Sequence, residues 1–132
     1  TNAEKNITIC QLDLDNFKQV NDKFGHKIGD DTLKEFATVL NSSIRATDTV
    51  FRFGGDEFAI LIEDPEFKTN QVVSERIMQF VKQSSLMSKH EVTVSIGYTL
   101  AMSNDCDIEI FSRADKGLYK AKASGRNCAK AY

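Results

Sequence analysis

The chain is short of the features that would send it into a membrane or onto a nucleic acid. No apolar run approaches the roughly 20 residues of a bilayer-crossing helix, and no signal peptide is visible. Basic residues are not in excess. The 17 Lys and Arg against 19 Asp and Glu leave a net charge of −2, the wrong balance for the basic footprint that a nucleic-acid polymer requires. Cysteine is scarce: Cys10, Cys106 and Cys128 are odd in number and widely spaced. They form no metal pattern, and a reduced, cytoplasmic compartment is the simplest setting for them. Proline occurs once, at Pro65. There are no repeats and no low-complexity linkers.

What remains suits one compact domain. A chain of 132 residues can bury a real core. Its 41% hydrophobic and 27% charged residues are ordinary for a globular protein. Alternation predicts a strand over 7–14, with Ile7, Ile9 and Gln11 on one face and Cys10, Leu12 and Leu14 on the other. Cys10 then belongs to the core. Asn16 is expected to cap a short helix ending near Phe24, with a loop over 25–29 and a longer helix capped by Asp30 or Asp31. Leu33, Phe36, Ala37, Leu40 and Ile44 recur at helical spacing and form its expected buried stripe. A hairpin follows over 49–53 and 58–62. Pro65 marks the turn before a third helix, which buries Val73, Ile77, Phe80 and Val81. A strand is expected over 91–100 and a polar loop over 103–107. The last helix turns Ile110, Ala114, Leu118 and Ala121 inward, and a short strand starts near Asn127. The order β-α-α-β-β-α-β-α-β fits an α+β sandwich with helices on one face of an antiparallel sheet.

The hairpin carries the chemistry. Two apolar runs flank Gly54-Gly55-Asp56-Glu57. Paired glycines suit a tight turn because each tolerates positive φ. Asp is disfavoured in strands and costly to bury alone, so acids at the mouth of an apolar strand suggest a bound cation; a solvated turn is the alternative. Asp13 and Asp15 are two apart and project from one face of the first strand. Brought against the hairpin, such carboxylates make a hard-oxygen site suited to Mg²⁺ or Mn²⁺. Asp15 could instead cap the next helix. That helix presents free N–H groups at its start, which attract phosphate. Lys122 and Arg126 are four apart near the end of the last helix and share a face, able to grip one anion or simply to complement the helix dipole.

Residues 54–58 spell the signature of the GGDEF family, the diguanylate cyclases, and the chain resembles that family along nearly its whole length. Asp13-Leu14-Asp15-Asn16-Phe17-Lys18, Asn21-Asp22, Phe24-Gly25-His26 and Gly29-Asp30 look like the family's opening block. Val94-Ser95-Ile96-Gly97 looks like its later strand. Arg113-Ala114-Asp115, Leu118-Tyr119, Ala121-Lys122 and Gly125-Arg126-Asn127 look like its closing block. The resemblance implies a palm-like fold similar to class III nucleotidyl cyclases and polymerase palms, a central antiparallel-containing sheet flanked by helices. It implies conversion of two GTP into cyclic di-GMP and pyrophosphate by a homodimer.

By the same resemblance, Asp13 and Glu57 ligate Mg²⁺ or Mn²⁺, assisted by Asp56 and the Leu14 carbonyl, and Asp56 or Glu57 helps deprotonate the attacking hydroxyl. The Phe17 and Lys18 amides, with Lys122 and Arg126, hold the triphosphate. Asn21 and Asp30 read guanine, whose N1–H and N2–H donors suit a carboxylate, and Leu33 packs on the base. His26 needs no catalytic role; a loop histidine bonded to its own backbone accounts for it. Arg45 and Asp48 match the inhibitory site that binds cyclic di-GMP; without that match they are a local ion pair. Family members usually carry a preceding helix that this chain lacks, so it is expected to be an N-terminally truncated piece of a longer protein with regulatory domains upstream and no membrane contact of its own. Two rivals remain: an inactive relative that senses GTP or cyclic di-GMP, and a single-nucleotide cyclase on the same palm.

Overall fold

Period-two alternation sets the middle of the sheet. The computed structural model describes residues 7–63, 69–101 and 105–132. Its strands are β1 (Ile7–Asp15), β2 (Thr49–Gly54), β3 (Glu57–Glu63), β4 (Thr93–Leu100) and β5 (Ala129–Ala131). They form one sheet in the order β2-β3-β1-β4-β5. Every neighbouring pair is antiparallel except β4 and β5, which run parallel. β1 is central, so both of its faces need cover. Cys10, Leu12 and Leu14 are buried on one side and Ile9 on the other, the two faces expected of this strand.

The helices are α1 (Phe17–Phe24), α2 (His26–Ser43), α3 (Thr69–Gln83), α4 (Ser85–Lys89) and α5 (Asp107–Ala123). Phe36 and Leu40 of α2, Val73, Ile77 and Val81 of α3, and Met87 of α4 pack on the Cys10 face in one hydrophobic cluster with Ile60, Ile62, Val94 and Ile96. Phe36 meets Phe58 edge-on, with ring centroids 5.1 Å apart. Burying such a ring removes enough apolar surface to contribute about 1.5–3 kcal/mol.

The opposite face is covered by α5, so helices lie on both sides of the sheet rather than on one. Ala114, Leu118 and Ala121 turn inward there, and Gln11 Nε2 donates to the Phe111 carbonyl at 3.0 Å. Two glycines set the separation. A Cβ on Gly97 would collide with the Leu118 amide nitrogen, and one on Gly117 would stand 2.9 Å from the Lys130 carbonyl. Helix and strand therefore touch backbone to backbone.

Several boundaries differ from expectation, each for a local reason. No loop spans 25–29: Gly25 alone, at φ 93°, separates α1 from α2. Neither Asp30 nor Asp31 caps α2, because both lie inside it. Asp31 instead pairs with Lys27 one turn back, 3.3 Å away. The buried stripe of α2 is rotated toward Thr32, Phe36, Val39 and Ser43, with Leu33, Ala37 and Ile44 half-buried. Thr32 and Ser43 are tolerated there because their hydroxyls donate to the carbonyls of Ile28 and Val39. The segment before β4 holds the short helix α4, capped by Ser84, whose Oγ accepts from the Met87 amide. The turn at Pro65 and part of the 103–107 loop fall outside the described residues. Among the described residues no helix is long and apolar enough to cross a membrane.

Candidate functional site

The carboxyl end of β1 meets the hairpin turn and the end of α5. Asp13 lies directly opposite Glu57 in the β1–β3 register, so their side chains share a face about 5 Å apart at Cβ. Asp56 occupies the turn and is a hydrogen-bonding and Coulombic neighbour of Asp13. Lys122 reaches back from α5 to place Nζ 2.5 Å from Asp13 Oδ2. The other oxygen, Asp13 Oδ1, is buried and has no hydrogen-bond partner among the described residues. Burial, reinforced by Asp56, raises the Asp13 pKa above the usual carboxylate value, and Lys122 opposes the rise.

An open cleft of about 370 Å³ collects these groups. Asp13, Leu14, Asp15, Asn16, Phe17, Lys18, Gln19, Asp56, Lys122 and Arg126 line it. Its floor is the start of α1. Asn16 holds the N-cap position but in left-handed backbone, φ 67°, and its side chain makes no cap bond. Asn16 Nδ2 donates instead to the Glu91 carbonyl at 3.0 Å. The expected side-chain cap is thus absent, and the first-turn N–H groups of α1 face the cleft without it. Such groups attract anions. Glu57 is exposed and stands beside the cleft rather than in its lining.

The donor set suits a hard cation only in an open site. Among the described residues no three His, Cys, Asp or Glu side chains converge as a closed metal cage. Mg²⁺ asks for less: it keeps several waters and takes one or two carboxylates plus substrate phosphates. The orphaned Asp13 Oδ1, with Asp56 and Glu57 adjacent, meets that need.

A second, smaller hollow of about 220 Å³ lies between α2 and the hairpin, lined by Asp30, Leu33, Lys34, Ala37, Arg52 and Phe58. Asp30 is exposed and, unlike Asp31, makes no ion pair among the described residues. Asn21 sits close by for a specific reason: its amide fills the space a Cβ on Gly29 would need. His26 begins α2 and is exposed, so it is not a loop histidine.

The two hairpin glycines are not required by the fold. Neither has positive φ, contrary to the expected turn geometry, and a Cβ on either would meet open space. Their bareness leaves room for something outside the chain.

Arg45 and Asp48 are bonded to each other and to the sheet. Arg45 N donates to Asp48 Oδ2 at 2.9 Å, and its guanidinium reaches both carboxylate oxygens at 3.3–3.4 Å and the Glu63 carbonyl. Glu63 N also donates to Asp48 Oδ1. The Asp48 side chain is fully buried, whereas that of Arg45 is 41% exposed. The ion-pair account therefore describes this form of the chain, with only Arg45 open to a ligand.

Three residues have roles the sequence did not reveal. Asp15 neither faces a cation freely nor caps α1; Ser95, Thr93 and the Asn127 amide take both of its oxygens. Arg52 donates to the Gly54 and Gly55 carbonyls at 2.8–3.2 Å and lies over the Phe58 ring, tying the turn to the smaller hollow. Arg113 clamps Asp105 bidentately at 2.5 and 2.8 Å and also donates to the Leu100 carbonyl. Its place in the closing block is explained by that clamp, which joins the start of α5 to the end of β4. Basic and acidic types in strands and helices were the only signal, and the Asp15 partners lie 78 to 112 positions away, too distant in sequence to infer.

Comparison with known proteins bears on the family and the fold. The family model described as "Diguanylate cyclase, GGDEF domain" matches residues 1–128. Diguanylate cyclase DgcS of Shewanella oneidensis is 43% identical over 124 residues, which cover 94% of this chain but 42% of that protein. The chain thus spans less than half the length of this curated relative. The active GGEEF domain of a diguanylate cyclase from Vibrio cholerae superposes with a TM-score of 0.89 at 33% identity, covering 99% of this chain and 85% of that one. The GGDEF domain of DgcB from Caulobacter crescentus, solved in complex with c-di-GMP, superposes with a TM-score of 0.83 at 29% identity, covering 98% and 80%. This chain belongs to the GGDEF domain family.

Proposed function

We propose that this GGDEF domain is a diguanylate cyclase, joining two GTP molecules into cyclic di-GMP with release of two pyrophosphates. The observation that carries the reading is one cleft that gathers Asp13, Asp56, the open start of α1, Lys122 and Arg126, next to a hollow walled by Asp30 and Leu33. In this reading the Phe17 and Lys18 amides, Lys122 and Arg126 hold the triphosphate. Asn21 and Asp30 read the guanine edge, the Asp30 carboxylate accepting from N1–H and N2–H, and Leu33 packs on its face.

Asp13, Glu57, Asp56 and the Leu14 carbonyl would hold Mg²⁺ or Mn²⁺. When bound, such an ion neutralises phosphate charge and stabilises the attacking and leaving oxygens. A second copy of the domain faces the first across a two-fold axis, since one cleft holds one nucleotide. Asp56 or Glu57 takes the proton of a 3′-hydroxyl. The freed oxygen forms a bond to the α-phosphorus held by the partner, and the bond to pyrophosphate breaks. A second such step closes the ring.

The relatives are longer than this chain, which supports an upstream regulatory domain that brings two copies together. The three free cysteines fit the cytoplasm as compartment. Cyclic di-GMP is also the proposed inhibitor, taken up at Arg45 beside Asp48; the c-di-GMP complex of the DgcB domain supports this.

One observation favours a second reading, a catalytically weak or inactive module that senses GTP or cyclic di-GMP. Asp13 is already engaged by Lys122, so a cation must compete for it. Incubation with GTP and Mg²⁺, followed by product identification, separates the readings. Cyclic di-GMP, formed faster per protein as protein concentration rises, is the expected result. Nucleotide binding without turnover supports the sensor, and a single-nucleotide cyclic product supports a different palm enzyme.

A further inference from the structure

Left-handed backbone is concentrated around one carboxylate. Among the described residues the non-glycine positions with positive φ are Asn16 at 67°, Glu91 at 58°, Arg126 at 65° and Asn127 at 51°. A Cβ makes this conformation costly, and it persists where surrounding bonds enforce it. Gly125, at φ 108°, extends the run, so three successive residues after α5 are left-handed.

Asp15 bonds directly to Asn127 and approaches Arg126. Its Oδ1 accepts the Ser95 hydroxyl at 2.7 Å, and its Oδ2 accepts the Thr93 hydroxyl at 2.6 Å and the Asn127 N–H at 3.1 Å. Arg126 Nε approaches to 3.9 Å, and the Asp15 side chain is only 2% exposed. Thr93 lies two residues beyond Glu91, whose carbonyl accepts from Asn16 Nδ2. A buried carboxylate is tolerated when donors fill its lone pairs. Here the donors come from the segments that carry the strained residues.

We propose that Asp15 is a positioning residue of the anion site: it latches the 125–127 turn to β4, so that Lys122 in the last turn of α5 and Arg126 in the turn beyond it, not on one helix face as the spacing suggested, are both held at the cleft. This rests on the reading of the cleft as a triphosphate site. Asp15 acts through the turn and not on the reacting atoms. The latch reaches Lys122 because the Gly125 and Arg126 amides donate to the Lys122 and Ala121 carbonyls. A fixed Asn127 therefore fixes the helix end. Asparagine at position 15 would keep the volume but point an N–H₂ group at donors.

Calorimetric titration of the chain with GTP and with GMP, both with Mg²⁺, reads the effect, together with amide hydrogen exchange at Asn127. In Asp15→Asn, GTP affinity is expected to fall about tenfold or more while GMP affinity changes less than about twofold, because GMP lacks the distal phosphates. Exchange at Asn127 is expected to accelerate. Ser95→Ala removes one donor and keeps the charge; it serves if Asp15→Asn does not fold, with the same pattern at smaller size. Equal losses for GTP and GMP, or unchanged exchange at Asn127, overturn the latch. If the wild-type chain binds neither nucleotide, the triphosphate reading falls, and exchange at Asn127 alone decides the latch.

Discussion

Lys122 Nζ lies 2.5 Å from Asp13 Oδ2, although 109 positions separate the two residues. In the proposed reading the pair joins the cation-binding residues of the cleft to the anion-binding ones, and a triphosphate that drew Lys122 away would free both Asp13 oxygens, so phosphate and metal binding are expected to support each other.

Glu57 faces Asp13 across the β1–β3 pairing and is exposed, so its loss should leave the core untouched. Glu57→Gln is expected to abolish divalent-ion-dependent turnover, by several kcal/mol of barrier, with unchanged circular dichroism and melting temperature. Normal turnover of that variant removes Glu57 from the cation site.

Asp30 lines the smaller hollow. In Asp30→Ala, buried guanine donors lose their acceptor, which costs about 1–3 kcal/mol. GTP affinity should therefore fall roughly tenfold or more while ATP binding barely changes. Competition calorimetry measures both; equal changes refute the base-reading role.

Arg45 can turn outward while Asp48 stays buried in its bonds to the loop and β3. Arg45→Ala should abolish inhibition by cyclic di-GMP, which is expected to be non-competitive with GTP, and leave basal turnover unaltered. Titration calorimetry with cyclic di-GMP is the direct check. Identical binding by wild type and variant would leave the pair as a local ion pair that holds the loop to β3.

Cys10 is 1% exposed, and burial pushes its thiol up to about 12. Because the thiolate is the reactive form, a thiol reagent at pH 8 should modify exposed Cys106 promptly and Cys10 only in denaturant. The linkage has a definite sign. From about pH 9 the unfolded thiol ionises while the folded one stays protonated until about 12. This group should therefore erode stability as pH rises through that window, by up to about 1.4 kcal/mol per pH unit. Cys10→Ala should flatten that part of the urea-melt profile.

Sequence patterns carried the sheet well because alternation is local. Cys10, Leu12 and Leu14 announced their face, and the 58–62 run announced a strand of the hairpin. Helix starts were less legible. Gly25 breaks the chain with one positive-φ residue where a longer loop was expected, and His26-Lys27-Ile28-Gly29 offers no capping side chain. The site divided in the same way. Asp13, Lys122 and Arg126 could be nominated by residue type, and the cleft does collect them. Asp15 could not be separated from Asp13, because its partners Thr93 and Asn127 lie 78 and 112 positions away. Nothing local distinguishes a carboxylate that is spent on hydrogen bonds from one left open.

The contact between Gly97 of β4 and the α5 backbone has a mechanical consequence. A helix resting on a layer of long side chains can slide or roll by repacking them. At Gly97 and Gly117 that cushion is missing, so α5 is pinned to the sheet there, and Lys122 near its end is held against β1. A regulator of the proposed cyclase is then expected to act by setting whole domains against each other, as rigid bodies, more than by shifting α5 on the sheet.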